Sequence, residues 1–135
     1  MKKSNWLPRN KENIRAFSYE IDGPVLVAER IYSRLLEIQS NQYVWSDQTL
    51  DSVIRTYSSQ LQALLQYKTQ LNRWQNKKKK RLKSTQYKEI RRLQRQVDHW
   101  DTVLIKMLVL AEQLKKERLK NRRKGLRWGK YRFSL

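Results

Sequence analysis

The sequence predicts an all-α chain: a small three-helix bundle with a long antiparallel helical hairpin. The hairpin reads as a coiled-coil-like arm with a basic tip, followed by a basic-aromatic C-terminal tail. Three observations lead there. Apolar residues recur at helical spacing over residues 25–38, 47–74 and 87–119. Only three Gly and two Pro interrupt 135 residues, too few for the frequent turns of an all-β chain. The segments between the periodic stretches are short, as between antiparallel neighbours.

Residues 1–23 read as an N-terminal arm whose aromatics pack on the body, in preference to a short helix around 10–19, with Asp22-Gly23-Pro24 as the start signal of the first helix. Asp22 can cap a helix, and Pro24 suits a first turn, where no N–H donor is needed. The first helix is then expected over about 24–40, with Ala28, Ile31, Tyr32, Leu35 and Ile38 or Gln39 on one face. Ser46 is the expected cap of a second helix over about 47–76. Its seam is Leu50, Ile54, Tyr57, Leu61, Leu64, Lys68 and Leu71, widened by Val53, Leu65 and Trp74. Ser84 or Thr85 caps the third, over about 85–121. There Ile90, Leu93, Val97, Trp100, Leu104, Met107, Ala111 and Leu114 alternate at three and four residues, a heptad seam. Residues 24–121 thus form the bundle with its hairpin arm, and 122–135 the tail, the helix ending at Gly125. Because the first helix is the shortest, the hairpin is expected to project beyond it as a two-helix arm. Gln66, Lys68, Gln70, Asn72, Arg91, Arg92, Gln94 and Arg95 suggest a core that thins toward the tip. Heptads pair between chains as well as within one, so the seam is compatible with self-association.

The charge is gathered into two blocks. Of the formal +19, residues 77–95 carry +9 and residues 115–135 another +9. Charge concentrated in this way marks surfaces suited to a polyanion. The first block comprises Lys77, Lys78, Lys79, Lys80, Arg81, Lys83, Lys88, Arg91, Arg92 and Arg95. In the tail, Arg122, Arg123, Lys124, Arg127, Lys130 and Arg132 interleave with Trp128, Tyr131 and Phe133. Cations neutralise phosphate with release of counterions, and aromatic rings offer faces to unpaired bases. These residues form the candidate nucleic-acid-binding set. The partner expected is RNA or single-stranded DNA, because no helix-turn-helix, zinc-finger or RNP pattern supports base-specific duplex reading.

Other chemistries find little support. The chain has no Cys and a single His, His99, so neither a thiolate site nor a His-based metal site is expected. No Gly-rich phosphate loop and no nucleophile beside a base is visible, so neither a cofactor nor enzymatic activity is expected. Asp98 and Asp101 sit three apart, a spacing suited to pairing with Lys or Arg of another helix. The N-terminus lacks the apolar stretch of a secretory signal, and the most apolar run, 103–111, is too short to span a bilayer. The expectation is a non-enzymatic accessory subunit of a nucleoprotein complex, beside other protein subunits, in an intracellular setting such as cytoplasm or nucleoid. The alternative is a structural adaptor whose hairpin and tail dock on an acidic protein.

Overall fold

The heptad-bearing stretch becomes the longest helix. In the computed structural model, which describes residues 11–41, 45–77 and 83–127, the chain folds as three helices: α1 (Lys11–Asn41), α2 (Asp47–Lys77) and α3 (Ser84–Arg127). No strand occurs among the described residues. All eight seam residues of α3 are buried, and Val103 and Leu110 add a second buried line. These two lines let α3 face two neighbours at once, and it packs along both α1 and α2. Short links make α2 antiparallel to each of the others, so α1 and α3 run parallel.

The caps follow local chemistry. Ser46 stands just before α2, and its Oγ accepts from the Thr49 N–H at 3.1 Å, an N-cap bond as the sequence suggests. At α3 the cap differs from expectation. Lys83, not Ser84 or Thr85, holds the cap position, and its N–H donates to Gln86 Oε1 at 3.0 Å. That bond is the returning half of a capping box, which asks only for Gln or Glu three residues inside the helix. At the other end α3 runs on through Gly125 to Arg127, because one Gly costs a helix only about 1 kcal/mol.

The largest departure concerns α1. It starts at Lys11 rather than 24, so Asp22 is not a cap and Pro24 lies inside the helix. The reason is burial. Ile14, Phe17, Ile21 and Val25 continue the apolar face of Ala28, Leu35 and Ile38, and all seven are buried. Burying residues of this size stabilises by roughly 1.5–3 kcal/mol each, enough to offset the ~3 kcal/mol a mid-helix proline costs. Within the arm assigned to 1–23, the chain is therefore helix from Lys11 and core from Ile14 onward.

This removes the projecting two-helix arm, because α1 lies alongside the hairpin almost to its tip. Phe17 meets Tyr67 and Trp74 of α2 at ring-centroid distances of 5.0 and 4.8 Å, and Tyr67 meets Trp100 at 5.8 Å. Nor does the core thin there: Leu71, Trp74, Ile90 and Leu93 are wholly buried. The polar residues at that end bond to one another instead, Gln94 to Asn72 and Gln75, and Gln75 to Tyr87. Leu65, expected to widen the α2 stripe, is 69 % exposed.

Candidate nucleic-acid interface

Acidic groups hold the helices together. Asp101 binds Lys68 at 2.7 Å, Asp51 binds Lys115 at 2.6 Å and Asp47 binds Arg118 at 2.9 Å, three ties between α2 and α3. Arg118 also donates to the carbonyl of Trp45, fixing the entry to α2. Glu29 of α1 meets His99 of α3 at 2.6 Å, and the Tyr67 hydroxyl donates to Glu20 at 3.0 Å. Burial, reinforced by Glu20, pushes the Tyr67 pKa up to about 12.

Asp22 is the hub of the α1–α3 contact. It accepts from Arg92 at 2.8 and 3.2 Å, from Ser18 at 3.0 Å and from Gln96 at 3.1 Å. Glu89 takes the other side of the Arg92 guanidinium at 2.8 and 2.9 Å. The Arg92 hydrogen bond holds the Asp22 carboxyl below its usual range, against a smaller opposing push from burial. Glu89 and Asp22 in turn raise the Arg92 pKa. Arg92 was expected to contact phosphate; here it joins two helices.

With seven of the chain's twelve acids engaged in these ties, cations remain outside. Lys88, Arg91, Arg95, Lys106, Lys116 and Lys120 are all exposed, and none pairs with an acid among the described residues. At 3.6 residues per turn they fall within roughly 80° of arc on the α3 face turned away from the seam, spread over roughly 48 Å. They form a cationic stripe, dense at both ends and sparse in the middle. Lys83, at the start of the helix, is exposed as well.

Lys78, Lys79, Lys80 and Arg81 of the basic linker lie outside the described residues, as do Trp128, Lys130, Tyr131, Arg132 and Phe133 of the tail. The helix backbone includes Lys77, Arg122, Arg123, Lys124 and Arg127, whose side chains also lie outside them. Sequence reasoning missed Asp22 as a hub, although its offset of four from Ser18 signals a shared helical turn. It also missed Lys106, an isolated cation whose face only the α3 register reveals. Among the described residues, no three His, Asp or Glu gather as a metal site and no helix is long and apolar enough to cross a membrane. Comparison with known proteins returns no matching family model, no matching curated protein and no matching solved structure.

Proposed function

We propose that this chain is a non-enzymatic nucleic-acid-binding protein, an accessory subunit of a nucleoprotein complex that holds RNA or single-stranded DNA. Phosphates meet the α3 stripe and the basic linker, and unpaired bases stack on the tail rings Trp128, Tyr131 and Phe133. The observation that carries this reading is the division of charge: acids tie helices together, while six cations that pair with no acid among the described residues share one face of α3. Exposed like charges on a rigid rod repel one another, and a polyanion relieves that repulsion with little demand on sequence.

The test is the salt dependence of binding to a labelled single strand. Six phosphate contacts give a log–log slope of about −4, at roughly 0.7 per contact. Arg91→Gln with Arg95→Gln should flatten the slope by about 1.4. Arg92→Gln should leave the slope nearly unchanged and lower the melting temperature instead. Replacing the three tail rings with Leu should weaken single-strand binding by roughly 1–3 kcal/mol per engaged ring without changing the slope, because stacking releases no counterions. Absence of binding at low salt would favour docking on an acidic protein.

A further inference from the structure

Between its two basic ends, the outer face of α3 carries a different pattern. Asp98, Thr102, Ile105, Val109, Glu112 and Lys116 follow one another at four and three residues, and all are exposed. Ile105 is 48 % and Val109 61 % exposed. Asp98 and Lys116 form no ion pair among the described residues. Leu108 is half-buried beside Val109, and an open hollow lined by Leu108, Val109, Glu112, Gln113 and Lys116 lies there. This is a second heptad line on α3, distinct from the seam that builds the bundle.

The line is complementary to itself read backwards. Set antiparallel to a copy, Ile105 meets Val109 of the second copy, Thr102 meets Glu112 and Asp98 meets Lys116. By symmetry each contact occurs twice. The apolar pair lies at the centre with opposite charges outside it, the order that favours pairing and fixes register. Sliding by one heptad either way sets Val109 against Asp98 or against Glu112. Beyond the patch stand Arg91, Arg95 and Lys120, like charges that confine the contact to its middle. We propose that this face binds a second copy of the chain, giving an antiparallel two-fold dimer centred between Ile105 and Val109. The proposal does not depend on nucleic-acid binding, but Lys116 belongs to both surfaces, so a second copy and a polyanion compete for that face. Their salt responses are opposite, because two chains of +19 repel and moderate salt strengthens the pair.

Nuclease-treated full-length protein, followed by sedimentation at about 0.15 M salt, where the Debye length is about 8 Å, should show a concentration-dependent dimer. Val109→Glu should weaken it tenfold or more, roughly the effect of losing a central apolar contact. Asp98→Lys sets Lys against Lys116 across the dimer, and Lys116→Asp sets Asp against Asp98, so each variant alone should be monomeric. Mixed, the two should form a heterodimer, since both pairs are then opposite in charge. Because the chain has no Cys, Asp98→Cys and Lys116→Cys give a second check on register. The mixture should cross-link under oxidation. Neither variant should do so alone, because positions 98 of the two copies stand eighteen residues, roughly 27 Å, apart. A monomer under every condition overturns the proposal. So does a dimer indifferent to Val109→Glu, a mixture that fails to associate, or a cysteine variant that cross-links with itself. Circular dichroism separates any of these from misfolding.

Discussion

Arg92 and Asp22 show how the meaning of a charge depends on what lies beside it in space. In the sequence Arg92 stands among ten cations, indistinguishable from Arg91 and Arg95. Besides Glu89 three residues away, its partner Asp22 stands seventy residues away, a distance that a linear count of charges does not register. Because the Asp22 pKa is depressed in the folded state, its contribution to stability is complete above the ordinary aspartate value of about 3.9. It is lost as pH falls through the depressed value. Asp22→Asn should therefore melt lower than the wild type at neutral pH. The gap should be at most about 1 kcal/mol, given the pair's exposure, and should close as the medium is acidified into that window. The sign reverses for Tyr67. Its raised pKa gives stability that is present below about 10 and lost as pH climbs through about 12. Thermal melts across both ends of the pH range check each direction.

Helix three was legible because its apolar period runs without a break, and helix two because only Lys68 interrupts its seam. Helix one was only half legible, for the opposite reason. Ile14, Phe17, Ile21 and Val25 carry the period, but Gly23 and Pro24 carry a stop signal, and the local signal was given too much weight. A Cβ added at Gly23 would meet nothing within 4 Å. Gly23→Ala should then stabilise the protein by roughly 0.5–1 kcal/mol, read as a higher melting temperature. A loss of stability would mean that α1 needs the freedom of that glycine beside the proline. Exposure predicts a second contrast. Leu104→Ala, at a wholly buried seam position, should cost roughly 2–5 kcal/mol. Leu65→Ala, on a side chain 69 % exposed, should stay within about 0.5 kcal/mol. The chain's apolar count could not tell these two leucines apart; the contacts along α3 do. The candidate interface was legible as two charge blocks. That one face of α3 gathers cations from both of them, with Lys106 between, emerged only once the helix fixed which residues look outward.

At the scale of the whole molecule, +19 on 135 residues opposes compaction. Added salt weakens the half-exposed ion pairs, each worth roughly 0–1 kcal/mol, but it also screens the repulsion among many more unpaired cations. Repulsion is the larger sum, so the melting temperature should rise as salt is added to a dilute buffer; a fall would show that the inward pairs dominate. The stripe's length has one more consequence. Its basic ends stand roughly 48 Å apart on a single helix, so the nucleic-acid binding proposed above would make the stripe a molecular ruler. On a stacked single strand, where phosphates advance about 3.4 Å, that span corresponds to roughly fourteen nucleotides. A shorter strand can occupy one end only, whereas a longer one reaches the second as an intramolecular event, at an effective concentration set by the helix rather than by the solution. Plotted against length, affinity should therefore rise in a step near that value instead of growing smoothly with each added charge.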